Sequence, residues 1–203
     1  MSRQNIKKLV MITLAVLVLG AGSIYLVYTQ MNKETNYHGV VIDPPSPAED
    51  FTLQTDQGEI HLSDFRGKVV LLYFGYTFCP DVCPTTLLKI KQALESVGDK
   101  ANEVQTIFIS VDPERDTPQI LGQYSRAFDP SFLGGTSTPE DIAAIAKEYG
   151  IYYAKQPAKS GSGYSVDHTA IVWVIDSSGN LYLEWPYGFD ITDMVSDLKK
   201  LLE

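Results

Sequence analysis

Three apolar runs, residues 69–76, 104–111 and 170–175, are interrupted too little for strands with one wet face; each reads as a strand buried on both faces. Around them apolar residues recur at helical spacing. Residues 85–97 carry Leu87, Leu88, Ile90, Leu94 and Val97 with that period. Residues 117–128 and 138–149 each open on Thr-Pro, a cap followed by a first-turn proline, and Gly150 stops the second. Residues 190–201 predict a last amphipathic helix. Short strands are expected at 51–53 and 59–62 around the turn Asp56-Gln57-Gly58, and at 181–184 after Ser177-Ser178-Gly179-Asn180. Strands alternating with helices, then a terminal hairpin and helix, describe an α/β domain built on a mixed sheet.

The element order resembles a thioredoxin-like fold, a mixed sheet flanked by helices. The 203 residues suit one domain with an appendage. Two cysteines cannot make a multi-disulfide framework, so stability must come from apolar burial. The formal charge is −9, and residues 1–28 hold Arg3, Lys7 and Lys8 with no acid; the remainder therefore has 13 basic and 25 acidic residues, or −12. A surface of that sign argues against nucleic acid as a partner and would suit a cationic ligand or a basic protein.

Residues 9–28 form an uncharged run of 20 residues. As a helix it would span roughly 30 Å, the thickness of a bilayer's hydrocarbon core. The basic flank should stay in the cytoplasm and the body should be exported, a single-pass cell-membrane arrangement. A cleaved signal peptide is the alternative, with its apolar region at 9–19 and Ala21-Gly22-Ser23 as the cleavage site. The anchor is favoured because the apolar run continues through residues 24–27, and both readings export the body. A short basic start without an Arg- and Ser-rich transit segment points to a bacterial membrane. The expected organisation is a cytoplasmic start and anchor at 1–28, a polar tether at 29–50 containing Asp43-Pro44-Pro45-Ser46-Pro47, and a thioredoxin-like, metal-binding domain at 51–203. Residues 155–163, with Gly161-Ser162-Gly163, read as a mobile loop that would let the chain beyond it close on a bound metal.

Both cysteines lie in Cys79-Pro80-Asp81-Val82-Cys83-Pro84, between a buried strand and a helix. At i, i+4 both sulfurs share a face if the first turn is helical. A helix N-terminus also favours thiolate over thiol. Three chemistries fit. One is an inert disulfide closing a short ring. A second is a redox-active disulfide, although the usual spacing is one residue shorter. Metal binding is the third, and there a further ligand decides. His38 and His61 are expected in solvent. His168, in Asp167-His168-Thr169, stands just before the strand at 170–175, a point that in thioredoxin-like proteins faces the dithiol and usually carries proline. Two thiolates and an imidazole suit a soft or borderline metal. Copper is favoured by thiolate softness and general affinity order, zinc remains a competitor, and calcium or magnesium would want oxygen ligands.

Residues 73–85 (YFGYTFCPDVCPT), 110–118 (SVDPERDTP) and 166–169 (VDHT) together resemble the Sco (SenC-type) cytochrome c oxidase assembly proteins. The likeness runs from Phe51 to the end and includes the N-terminal anchor. It implies a domain that binds one copper ion, Cu(I) or Cu(II), through Cys79, Cys83 and His168, with Cys79 and Cys83 also able to form a redox-active disulfide. It further implies help in building the CuA centre of cytochrome c oxidase subunit II, by copper delivery or by reduction of that subunit's cysteines. Such a protein is an assembly factor rather than a turnover enzyme. The alternative is a thiol–disulfide oxidoreductase with no obligate metal; a peroxidase has only the fold in its favour. Asp81 reads as a helix-start residue, or as an outer-shell charge favouring a cation. Asp112, at a strand's end in Asp112-Pro113-Glu114-Arg115, reads as a loop residue to which the resemblance adds an outer-shell role. Trp185-Pro186-Tyr187-Gly188 reads as core packing, or as a docking edge.

Overall fold

The computed structural model describes residues 11–14, 16–23, 37–157 and 163–203, and the chain divides into two units, 1–36 and Tyr37–Glu203. In the first unit residues 11–14 and 16–23 are helical, and the rest of the apolar run at 9–28 lies outside the described residues. Among the described residues no helix is long and apolar enough to cross a membrane.

The described residues of the second unit form ten strands and four α-helices: β1 Val40–Pro47, β2 Thr52–Thr55, β3 Gly58–His61, β4 Val69–Gly75, α1 Val82–Val97, β5 Val104–Ser110, α2 Pro118–Phe128, β6 Leu133–Thr136, α3 Pro139–Glu148, β7 Tyr153–Pro157, β8 Tyr164–His168, β9 Ile171–Ile175, β10 Asn180–Pro186 and α4 Ile191–Leu201. Eight strands make one sheet in the order β1-β10-β9-β4-β5-β6-β2-β3; β7 and β8 pair separately as an antiparallel hairpin. The centre is parallel (β4 with β5, β5 with β6), and β9 runs antiparallel to β4. This is the expected thioredoxin-like mixed sheet flanked by helices.

Alternation along the strands sorts the core into two layers. Tyr73 of β4 stacks on Phe108 of β5, which meets Tyr124 of α2, and Trp185 of β10 bonds to Asp197 of α4, so these helices cover one face. On the other face Phe74 packs on Tyr149, just beyond α3, whose carbonyl accepts from Trp173 of β9. All seven residues of β4 and all seven of β5 are buried, the second including the polar Gln105, Thr106 and Ser110. Thr117 and Thr138 cap α2 and α3 as expected, their hydroxyls accepting from Ile120 N at 3.3 Å and Asp141 N at 3.2 Å.

Two expectations need correction, and one strand is unexpected. Residues 40–47, read as tether from their prolines, form β1 and pair antiparallel with β10. An edge strand tolerates proline because its outward positions need no N–H for the ladder. Residues 133–136, where Gly134-Gly135 hides any strand pattern, form the buried strand β6; a Cβ on Gly134 would lie 2.6 Å from Ser125 Oγ, so glycine lets α2 lie close on the sheet. The loop expected at 155–163 is strand through Pro157, paired with β8, while 158–162 lie outside the described residues.

Candidate metal centre

Strands β4 and β5 both deliver their loops at the carboxyl end of the parallel pair, the side of an open α/β sheet where ligands gather. The first loop, residues 76–81, carries Cys79 into α1. That helix starts at Val82 rather than 85, so Cys83 falls in its first turn and Cys79 ahead of it. Asp81 is the N-cap residue but makes no side-chain cap bond; its Oδ1 accepts from Thr85 Oγ1 at 3.2 Å. The cap is sulfur instead. Cys79 Sγ accepts from the Cys83 N–H at 3.4 Å, filling the place a serine or aspartate oxygen usually takes. Cys79 is partly exposed and Cys83 fully buried, both as free cysteines.

His168 arrives from the end of β8. Its Nε2 lies 3.4 Å from Cys83 Sγ, and its Nδ1 lies 3.2 Å from the carbonyl oxygen of Thr169. A carbonyl only accepts, so Nδ1 carries the proton in the neutral ring and Nε2 turns its lone pair toward the sulfurs. Tyr76 meets the imidazole edge-on at 5.9 Å and 89°, and Tyr73 meets it at 6.3 Å. The three donor atoms of Cys79, Cys83 and His168 lie within 4.8 Å of one another, and among the described residues no other set of three His, Cys, Asp or Glu side chains converges so. Cys79 and His168 open on a cleft of about 400 Å³ lined also by Pro80, Val82 and Val166, with Cys83 buried behind them. A larger recess of about 690 Å³ beside Asp50 and Asp141 contains neither cysteine nor His168.

The two thiols are driven apart in acidity. A hydrogen bond from Cys83, then the N–H groups of Cys83 and Asp81, outweigh burial and hold Cys79 far below an ordinary thiol. Cys83 is pushed up, because its thiol donates to the Cys79 sulfur and because burial and the neighbouring negative charge oppose ionising it. The reduced pair is therefore one outer thiolate and one inner thiol. Burial likewise keeps the Tyr73 phenol protonated.

Asp112 is fully buried, with its oxygens on the Arg115 guanidinium and on Tyr164 Oη, which donates to Oδ1 at 2.7 Å. Asp81 is exposed at the cleft's rim. His61 and His38 are both exposed, His61 on Thr52 and His38 beside Asp193. Trp185 is core, and Tyr187 is half exposed. Sequence reasoning missed Asp116. Its buried carboxylate accepts from Thr77 N at 2.9 Å, Thr77 Oγ1 at 2.5 Å and Ser110 Oγ at 2.6 Å, pinning the start of the dithiol loop to the end of β5. Its only signal is position, four residues past Asp112 in the same loop.

A family profile described as SCO1/SenC matches residues 42–203. The chain is 34% identical to the SCO2-like protein of Rickettsia felis over 84% of its own length and 85% of that protein's. The solved structure of apo Sco1 from Thermus thermophilus superposes with a TM-score of 0.74 at 42% identity, covering 84% of this chain and 99% of that one. The structure of Arabidopsis thaliana ScoI, solved with copper bound, gives a TM-score of 0.72 at 33% identity over 77% of this chain and 98% of that one.

Proposed function

The chain belongs to the SCO1/SenC family, and from that premise we propose that it is a membrane-tethered, extracytoplasmic copper-binding protein that helps build the CuA centre of cytochrome c oxidase subunit II. The observation that carries the reading is the convergence of Cys79, Cys83 and His168 within 4.8 Å. The donor set fits the cargo: two sulfurs and one nitrogen, with no carboxylate in the group, suit copper far better than a hard cation. Copper bound there would supply a thiophilic ion that exchanges between protein ligand sets and between two oxidation states. Cys79, already ionised and partly exposed, meets an incoming ion first. Cys83 must release its proton to join, and the fixed tautomer of His168 leaves Nε2 free to follow. The same exposure leaves Cys79 accessible to a partner's ligands. Tethering rests on the uncharged run at 9–28 behind Arg3, Lys7 and Lys8, which directs residues from Tyr37 onward away from the cytoplasm.

Anaerobic titration of the reduced chain with Cu(II) tests the reading. One equivalent should bind with an intense sulfur-to-copper charge-transfer band, and His168→Ala should weaken binding and shift that band. Failure to bind in the native chain would remove copper from its function; unchanged binding in the variant would remove His168 from the centre.

A second reading, thiol–disulfide exchange on the oxidase subunit without metal, is favoured by the thiolate–thiol asymmetry of the pair, which suits Cys79 to attack a disulfide and Cys83 to resolve it. It predicts partner-disulfide reduction that survives His168→Ala.

A further inference from the structure

The two halves of the centre come from separate pieces of chain. The cysteines follow β4 of the main sheet, whereas His168 ends β8, which belongs to the isolated β7–β8 hairpin. Among the described residues no ladder hydrogen bond ties that hairpin to the main sheet; only Thr169 and Ala170 lead from His168 into β9, so the rest of the hairpin needs a further hold to keep the imidazole at 3.4 Å from Cys83. The loop that follows β5 does this. Arg115 bonds through Nε to the buried Asp112 carboxylate and donates from Nη1 to the Tyr164 carbonyl at 2.9 Å, at the opposite end of β8 from His168. Its guanidinium carbon lies 3.7 Å from the Tyr164 ring centroid, 4.9 Å from that of Phe78 and 5.7 Å from that of Tyr76. Phe78 immediately precedes Cys79, and Tyr76 is the ring that meets His168 edge-on. One side chain therefore touches the dithiol loop, the ring against the imidazole and the strand that ends in the imidazole.

We propose that Arg115 is the positioning residue that sets His168 against the dithiol. The inference rests on reading Cys79, Cys83 and His168 as one centre. Lysine cannot take the place: the task needs a planar fork that pairs with a carboxylate and a carbonyl in fixed directions while its faces lie on aromatic rings. The Tyr164 hydroxyl closes the arrangement by donating to the second Asp112 oxygen at 2.7 Å, so the carboxylate holds the cation and the strand together.

The test uses the full chain in detergent, reduced and metal-free, with ¹⁵N in its three histidines. The Nε2 resonance of His168 reports the sulfur–imidazole contact before any copper is present. Arg115→Lys should shift and broaden that resonance and leave those of His38 and His61 in place. Tyr164→Phe, which keeps the ring and loses one hydrogen bond, should move it the same way by less, and decides the matter if Arg115→Lys does not fold. On adding Cu(II), affinity should drop about 10–100-fold in Arg115→Lys, the range for loss of a ligand's orienting partner, with the nitrogen hyperfine signal weakened while the sulfur charge-transfer band persists. An unchanged His168 resonance in both variants would overturn the proposal, whatever happens to the unfolding midpoint. A native chain that ignores copper would instead sink the metal reading, and the metal-free resonance would still decide the role of Arg115.

Discussion

The sulfur of Cys83 fills the space a side chain on Gly75 would need: a Cβ there would lie 2.7 Å from Sγ and 2.7 Å from the Phe108 ring. The glycine ends β4 with a backbone any residue could adopt, so volume alone demands it. Its bare Cα lets α1 settle onto the strand and seats the inner thiol beside His168. Gly75→Ala should therefore push the thiol from its seat. Overpacking of this kind costs about 1–3 kcal/mol. Urea unfolding should show that loss, and copper titration should show affinity down by about tenfold or more from misplaced sulfur. Native values for both would mean the dithiol loop has slack that the packing does not suggest.

Reactivity separates the two thiols. Cys79 is held ionised well below the ordinary thiol range, so its alkylation by iodoacetamide should change little between pH 8 and pH 5. A free thiol, with a pKa of about 8.5, would slow nearly tenfold per unit over that span. Cys83, buried and held protonated, should react only after the first site is blocked or the chain unfolds. Mass spectrometry of the reduced, metal-free chain after brief labelling counts the adducts. A rate for Cys79 that climbs steeply from pH 5 to pH 8 would contradict the assigned asymmetry.

The parts of this structure legible in the sequence are those whose signal is local. Residues 69–75 read as a buried strand because nearly every side chain there avoids water, 104–110 follow through Val104 and Ile107-Phe108-Ile109, and Thr117 and Thr138 announce helices with a cap and a proline. The paired cysteines were visible for the same reason. His168 was found through a fold resemblance, since its meaning depends on which strand follows it. What stayed hidden depends on partners far along the chain. Three prolines in residues 40–47 disguise a strand whose support comes from β10, some 140 residues later. Arg115 and Asp116 look like ordinary loop charges until β8 and the dithiol loop are laid against them.

Asp56 and Arg126 join the β2–β3 turn to α2 through two bonds, Nη1 to Oδ1 at 2.9 Å and Nη2 to Oδ2 at 2.5 Å. The guanidinium hydrogen bonds lower the Asp56 pKa from its ordinary 3.8. A carboxyl depressed in the folded state contributes stability above its unfolded pKa, and that share is lost as pH falls through the folded value. Native protein should thus lose this contribution only below about pH 4. Asp56→Asn should be less stable at pH 7 by on the order of 1 kcal/mol, the upper end for a partly exposed pair, and the gap should narrow toward pH 2. Denaturant midpoints for both chains across that range check it; a gap that stays constant would assign the effect to something other than charge.

Asp197 joins the first residues of the body to its last helix. Lying fully buried in α4, it accepts from His38 N at 2.8 Å, Gly39 N at 2.9 Å and Trp185 Nε1 at 3.1 Å. Three N–H groups together satisfy the buried charge, and two of them belong to the chain leading into β1. Asp197→Ala would leave all three donors unpaired, at about 1–3 kcal/mol for each that stays buried. The indole cannot leave the core, but residues 37–47 can escape the penalty by lifting off the sheet edge. Amide exchange at Val40 and Val41, which pair with Glu184 and Leu183, should then rise toward that of an unfolded chain. A protease should also cut ahead of Ala48. Copper binding should persist, because the dithiol loop and His168 make no contact with Asp197 through these bonds. Asp193→Ala removes only the half-exposed partner of His38 and should leave the edge strand protected. Equal protection of Val40 in both variants would show that pairing with β10 alone holds the segment down.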